Sequence, residues 1–555
     1  MTSPMLTLLS RERLNQNYAA GYWRDDTIYS LVRQHADTIP DKIAVRDRSG
    51  EITYGELVAR AEALSVHLSA AGLQPGCRVA VWLSSRIETA VALIACSHGG
   101  FVCCPSLHRD HTSADIIELM NRMRAAAFIG EAGYGADATR HDIFAGLDSV
   151  PTLKATFRLG AVGERGESVL PKSGAHKSAA YKADPNSIIY LAFTSGTTGR
   201  PKGVMHSDNT LLANARAMIA DWQFDMHTVI YTMSPLSHNL GLGSLVMALA
   251  LGGEVVVHDL RRGASTLDRI IEVGATFIVG VPTHAMDLLT EMKARNMTSP
   301  GRVKGFRISG ASAPREVIAE LIETGVMPQS GYGMTEAGSH HYTRMDDSAD
   351  RVVQTSGRTC DGYEVKIFSK DDPNRELPVG EIGQIGGRGA SLMLGYYDDQ
   401  QANDDAFNAE GWFMTGDIGR LDAKGYLQIT GRKKDLIIRG GHNIYPARIE
   451  NLAMQHPDIA RAAALPVPDM RLGEKVCLAV MLRSGATLTS DDVLDHLDRS
   501  GLSKYDMPEY YLQLDAIPLT ASGKILKRDI VVQVADGTLA PIPVRFIARD
   551  RLAPA

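Results

Sequence analysis

From about residue 40 to residue 310 the chain alternates two hydrophobic patterns. Ile43–Val45, Val79–Trp82, Val229–Met233, Val255–Val257, Phe277–Val279 and Phe306–Ile308 are short, continuous apolar runs. Rich in β-branched side chains, they predict strands buried on both faces. Between them, Tyr54 to Leu68 and Ile116 to Met123 return an apolar side chain every three or four positions, which predicts helices. Strand and helix in alternation predict an α/β architecture. From residue 360 the pattern changes to short strands with Gly and Asp turns, as in Gly419 to Ile429, and predicts a smaller, β-rich subdomain. Beyond Asn443 an α+β texture returns and runs to the end of the sequence. Gly163 to Asp184, rich in Gly, Ser, Lys and Glu, reads as an exposed loop.

A chain of 555 residues is too long for one core, so at least two domains are expected. The net charge of −6 is small for this length and argues against nucleic acid as a partner. Six scattered cysteines without a C-x-x-C suit a reducing compartment, and Cys103-Cys104, inside an apolar run, reads as core. The patch Met5 to Leu9 precedes Arg11 and Arg13, the reverse of a signal peptide's order. No apolar run reaches the roughly 18 residues of a membrane span. These features predict a soluble, cytoplasmic protein without integral membrane contact. They leave room for a homodimer.

No H-E-x-x-H, G-x-S-x-G or zinc-spaced Cys/His cluster occurs. Instead, polar motifs recur at turn positions. Thr194 to Gly203 reads Thr-Ser-Gly-Thr-Thr-Gly-Arg-Pro-Lys-Gly, after the apolar run Ser187–Phe193 and before a helical pattern from Leu211. The expected order is strand, glycine-rich loop, helix. Backbone N–H groups, the hydroxyls of Thr194, Ser195, Thr197 and Thr198, and the charge of Lys202 suit phosphate oxygens, and Gly196, Gly199 and Gly203 permit close approach. The spacing is not that of the P-loop. Pro235 to Gly241 places His238 and Asn239 after a strand. Ser309 to Pro314 offers small residues on which a flat ligand can lie. Gly331 to Glu336 offers Tyr332 for stacking, Thr335 as a phosphate donor and Glu336 as an oxygen ligand for Mg²⁺. Asp417, in Trp412 to Asp417, can accept from a ribose diol. Gly431 to Asp435 and Pro518 to Lys524 complete the series.

In combination and order these motifs resemble the adenylate-forming superfamily of acyl- and aryl-CoA synthetases, carrier-protein adenylation domains and luciferases, over roughly residues 25 to 530. The resemblance implies a large ATP- and acid-binding domain at 1–433, a hinge at Lys434 and a small mobile lid domain at 434–555. It implies ATP contacts from Thr194, Ser195, Gly196, Thr197, Thr198, Gly199 and Lys202, and an adenine-lining segment at Gly310, Ala311 and Ser312, where Ala-Ser stands in place of the usual Gly-Ala. Gly331, Tyr332, Gly333, Met334 and Thr335 continue that site. Glu336 would hold Mg²⁺, Asp417 and Arg432 the ribose, with Ile429 beside them. Lys524 would contact acyl and α-phosphate oxygens during adenylation. Lys202, Glu336, Thr335 and His238 join it as catalytic candidates, and Gly440, Gly441 and His442 would meet coenzyme A. The implied cofactors are ATP, Mg²⁺ and coenzyme A.

The chemistry implied is attack of a carboxylate on the ATP α-phosphate, then displacement of AMP by a thiol. Two anions must meet, and the cationic groups offset their repulsion. The alternatives are an aryl acid–AMP ligase that loads a carrier-protein phosphopantetheine and a medium-chain fatty acyl-CoA ligase. Gly21 to Asp25, His238-Asn239 and Ser244 resemble the 2,3-dihydroxybenzoate–AMP ligase subgroup, and residues 22–30 are similar to cyclohexanecarboxylate–CoA ligases. Acid contacts would come from His238, Asn239, Leu240, Ser244 and Gly333. Leu240 departs from the subgroup's aromatic residue and suits a puckered, saturated ring.

Overall fold

The computed structural model describes residues 5–160, 169–172, 183–194, 201–261, 263–309, 313–439, 442–520 and 524–546. The chain forms two compact units, Met1–Val365 with Gly387–Phe413, and Lys366–Gly386 with Met414–Ala555.

The first unit is built on two large sheets. One runs in the order Arg358–Thr359, Gly338–Tyr342, Met327–Met334, Gly305–Ser309, Phe277–Gly280, Val229–Thr232, Glu254–Val257, Ile43–Asp47, Gly50–Thr53. Its middle pairs are parallel and its edge pairs antiparallel. All six apolar runs singled out in the sequence are strands, five here and one, Arg78–Trp82, in the second sheet. That sheet runs Ala155–Leu159, Ala125–Glu131, Arg78–Trp82, Val102–Cys104, Ile188–Thr194, Lys202–Ser207. Parallel strands buried on both faces need apolar side chains in both directions, which is why these runs do not alternate.

One core cluster joins the two sheets through the helices Tyr54–Ala70, Ile87–Gly99, Asp208–Asp221 and Asn239–Leu251. The expected helices are present as Tyr54–Ala70 and Ser113–Met123, each opened by a threonine capping box, Thr53 with Glu56 and Thr112 with Asp115. Cys103 and Cys104 are fully buried core residues.

One expectation is corrected. The loop at 194–203 is not followed directly by a helix. Thr194 pairs with Lys202, and Ile188–Thr194 and Lys202–Ser207 are antiparallel partners. The glycine-rich segment therefore connects the strands of a hairpin, and the helix begins only at Asp208, capped by Ser207. Val204 and Met205, too short an apolar stretch to signal a strand, are buried on it.

In the second unit, Gly473–Leu482 is the centre of a sheet with Ile437–Arg439, His442–Ile444, Ile459–Asp469, Tyr510–Gln513 and Ile542–Pro543. The helices Pro446–Ala453 and Ser490–Arg499 cover it through Ile449, Val493 and Leu497. A four-stranded sheet, Tyr363–Phe368, Gly383–Gly389, Phe413–Leu421, Leu427–Arg432, corresponds to the β-rich texture read after residue 360. The α/β fold class is the one the sequence predicts. Among the described residues no helix is long and apolar enough to cross a membrane.

Candidate active site

Three elements of the first unit converge on the segment Gly331 to Glu336. The strand Met327–Met334 delivers it, and its antiparallel partner Gly338–Tyr342 turns back at once. The turn is tight: a Cβ on Gly333 would lie 2.2 Å from the Gly338 carbonyl oxygen. Only glycine fits there.

The strand Lys202–Ser207 supplies the second element. His206 is buried; its Nε2 lies 2.7 Å from the Thr335 carbonyl oxygen and its Nδ1 3.0 Å from Thr210 Oγ1. Burial lowers its pKa to about 4, so the ring is neutral. At the start of the same strand, Lys202 Nζ lies 4.9 Å from the centroid of the Tyr396 ring. The Tyr396 hydroxyl donates to Glu336 Oε1 at 2.9 Å, and burial followed by the neighbouring carboxylate raises its pKa. Lysine, aromatic ring and carboxylate thus form one connected set. Glu336 is further fixed by its backbone, whose carbonyl accepts from Met393 N at 2.7 Å.

The helix Asn239–Leu251 is the third element. His238 is its N-cap residue and stacks on His108, ring centroids 5.0 Å apart. His108 Nδ1 lies 3.1 Å from Ser237 Oγ. Asn239 Nδ2 donates to the Met334 carbonyl at 3.3 Å. Ser244 Oγ donates to the Leu240 carbonyl at 2.9 Å. Asn239, Leu240 and Ser244 all line a partly open cavity with His206, Asn214, Met218, Arg307 and Ser339. His238 and Gly333 are not among its lining residues. Tyr332 packs edge-on to His340 at 5.0 Å.

In the second unit, Asp417 and Arg432 are cross-strand partners, and Arg432 Nε lies 3.1 Å from Asp417 Oδ1. Asp417 is buried and Arg432 half exposed, so the carboxylate is held in place while the guanidinium reaches solvent. Ile429 lies on the same hairpin, opposite Gly419. Lys434 sits in the single 3₁₀ turn Lys433–Asp435. His442 Nε2 lies 2.8 Å from Asp506 Oδ1. Lys524 is exposed, and its backbone is clamped: its carbonyl accepts from Thr520 N at 2.8 Å and its N–H donates to Thr520 Oγ1 at 3.1 Å. Ser195, Gly196, Thr197, Thr198, Gly199, Gly310, Ala311, Ser312, Gly440 and Gly441 lie outside the described residues.

Among the described residues no group of three or more His, Cys, Asp or Glu surrounds a metal position. Glu336 offers a single carboxylate. That donor set fits Mg²⁺, which keeps several waters and takes only one or two carboxylates.

His206, Tyr396, His108 and Arg307 were not singled out in the sequence. Each lies in or beside an apolar stretch with no motif of its own, and only the packing brings it to the site.

Residues 32–397 match the model of the AMP-binding enzyme family, and residues 448–524 that of the AMP-binding enzyme C-terminal domain. The chain is 30% identical to a medium-chain fatty-acid–CoA ligase of Escherichia coli, over 95% of this chain and 94% of that protein. It is also 30% identical to a salicylyl-CoA synthase / salicylate adenylyltransferase of a Streptomyces species, over 96% of this chain and 98% of that one. Among solved structures, ATP-bound MatB from Rhodopseudomonas palustris superposes with a TM-score of 0.81 at 27% identity, over 92% of this chain and 99% of that chain.

Proposed function

The chain belongs to the AMP-binding enzyme family, the adenylate-forming superfamily, and from that premise we propose that it is an ATP-dependent acid–thiol ligase forming an acyl-CoA. The observation that carries this reading is the connected set Lys202, Tyr396 and Glu336, with Thr335 fixed by His206. It offers a cation and a carboxylate beside one backbone segment, as a nucleotide triphosphate and its metal require.

In the first step an oxygen of the substrate carboxylate forms a bond to the α-phosphorus, the bond from that phosphorus to the bridging oxygen breaks, and pyrophosphate leaves. Lys202 and the Thr335 hydroxyl bind phosphate oxygens. Glu336 would hold Mg²⁺, which would supply charge neutralisation of the phosphates. Asp417 accepts from the ribose hydroxyls and Arg432 orients it. Lys524 stabilises the acyl and α-phosphate oxygens as negative charge builds up on them. In the second step the thiol sulfur of coenzyme A bonds to the acyl carbon, the carbon–oxygen bond to AMP breaks, and the thiol proton is released. Lys434 acts as the hinge between the steps, and Gly440, Gly441 and His442 meet coenzyme A.

The cavity beside Asn239 is the acid site. Leu240, Leu242, Val246, Met247 and Met218 give it apolar walls of aliphatic side chains, which suits a puckered six-membered ring. We therefore assign a monocyclic ring carboxylate, with cyclohexanecarboxylate ahead of benzoate. The test is incubation with ATP, Mg²⁺ and coenzyme A against cyclohexanecarboxylate, benzoate, 2,3-dihydroxybenzoate, hexanoate and palmitate, read by mass spectrometry of acyl-AMP and acyl-CoA. The ring acids should lead. Leading turnover of palmitate overturns the ring pocket. Acyl-AMP that coenzyme A cannot discharge favours a carrier protein as acceptor.

A further inference from the structure

Arg307 is a buried cation at the wall of the cavity, and among the described residues no carboxylate answers it. The residue is 2% exposed, and among the described residues it forms no salt bridge. Asp221, which the Tyr342 hydroxyl reaches at 2.7 Å, is held instead by Arg344 at 3.0 Å. A guanidinium carries five N–H donors. Among the described residues its acceptors are Ser309 Oγ at 3.1 Å, Ser339 Oγ at 2.9 Å and Met218 Sδ at 3.4 Å, the last a weak acceptor. Two donors remain. The Trp222 and Tyr342 rings, with centroids 5.4 and 5.9 Å from its central carbon, hold the group by cation–π contact but accept no directed hydrogen bond in its plane.

The surroundings are shaped for this side chain. A Cβ on Gly331 would lie 2.8 Å from Arg307 Nη2, so the glycine makes room for the guanidinium. Burial, opposed by Tyr342 and Cys360, lowers the Arg307 pKa to about 10, which leaves the group charged at neutral pH. A buried charge without a counter-charge is costly. Its position also has a direction. The strand Gly305–Ser309 pairs in parallel with Met327–Met334, Ser309 opposite Gly331. Arg307 itself pairs with Gln329, and the approach of its Nη2 to the Cβ position of Gly331 puts the guanidinium beside the strand that leads to Thr335. Arg307 and His206, which holds the Thr335 carbonyl, line the same cavity, so an acid in it has the guanidinium in its wall.

We propose that Arg307 is a specificity-determining residue that recognises a hydrogen-bond-accepting oxygen, carbonyl or carboxylate, at the end of the substrate acid remote from the activated carboxyl. The inference rests on the reading of the cavity as the acid site. It deepens that reading from a ring carboxylate to a ring carboxylate with an oxygen substituent across the ring.

The experiment is ATP–pyrophosphate exchange with cyclohexanecarboxylate, 4-oxocyclohexanecarboxylate and trans-cyclohexane-1,4-dicarboxylate. With the unaltered enzyme, kcat/KM for one of the oxygen-bearing acids should exceed that for the parent by at least tenfold, because an unpaired buried donor penalises the acid that lacks the acceptor. In Arg307→Met the ratio should fall to about one, mostly through KM. Arg307→Lys, which keeps the charge but loses the planar fork of donors, should lower the ratio several-fold and carries the test if the methionine variant does not fold. The proposal is overturned if the parent acid is preferred, or if the ratio survives in a folded variant. In either case exchange with the parent acid still supports the ligase reading. Absence of exchange with every acid overturns the ligase reading itself.

Discussion

His206 Nε2 is 2.7 Å from the carbonyl oxygen of Thr335, and this bond fixes both the tautomer of the ring and the position of the strand end. A carbonyl only accepts, so Nε2 carries the proton, and Nδ1 accepts from the Thr210 hydroxyl at 3.0 Å. Removing the donor leaves the Thr335 carbonyl without its partner and frees the segment Gly331 to Glu336 to shift. His206→Ala should lower ATP–pyrophosphate exchange by about 10²-fold. His206→Gln, which keeps an N–H donor, should recover much of that loss at equal thermal stability. Full exchange in His206→Ala would show that Thr335 is positioned by other contacts.

Burial also sets the response to acid. The pKa of His206 and of His258 is lowered to about 4, that of His340 to about 3, and that of His341 well below the ordinary value, all chiefly by burial. In the unfolded chain each titrates near the usual 6.5. Between those values the unfolded chain binds protons that the folded chain refuses, so this stability is complete above about pH 6.5 and is lost as pH falls toward 4. Asp208 opposes them. Burial pushes its pKa up to about 7, so its contribution is lost as pH rises from about 4 to 7. Four histidines against one aspartate set the sign, and Tm should fall between about pH 7 and about pH 5. Calorimetry across that window checks it; a rising Tm would mean that Asp208 dominates.

Tyr396 joins Lys202 to Glu336. Tyr396→Phe keeps the ring beneath Lys202 and removes the hydroxyl that donates to Glu336. It should alter the Mg²⁺ concentration for half-maximal activity several-fold with little change in KM for ATP. Tyr396→Leu should raise KM for ATP as well, since the lost cation–π contact is worth about 0.5–2 kcal/mol. A magnesium titration of both variants separates the two roles. Identical behaviour of the phenylalanine variant and the parent would remove the hydroxyl from the site.

Lys524 is held by Thr520 on both its N–H and its carbonyl, so its backbone is fixed and its side chain is presented outward. Lys524→Ala should depress acyl-AMP formation by orders of magnitude. Attack of coenzyme A on supplied acyl-AMP should persist. Single-turnover assays of each half-reaction measure this, and equal loss of both would refute a role confined to adenylation.

Lys434 lies in a 3₁₀ turn, a conformation whose φ proline can adopt near −65°. Lys434→Pro should therefore fold, yet resist any motion that changes φ at this residue. Pyrophosphate exchange should continue while acyl-CoA output drops by at least tenfold. Unchanged acyl-CoA output would place the hinge at another residue.

The strands Phe277–Gly280, Val229–Thr232 and Glu254–Val257 were legible because strands buried on both faces need apolar residues in succession, a local signature. The segment Gly331 to Glu336 was legible because the tight turn at Gly333 restricts which residues can serve. Lys202–Ser207 was not. Its short apolar stretch gains a strand's identity only from the antiparallel partner Ile188–Thr194. The same holds for the chemistry of single side chains. In sequence, His206 and Arg307 are polar interruptions of apolar runs. Long-range packing decides that His206 meets Thr335, 129 positions away, and that Arg307 faces a cavity with two donors unused. Sequence determined which backbone could form and which motifs it would present, because those depend on neighbours along the chain. Tertiary structure alone decided which buried polar atoms found partners, because that depends on neighbours in space.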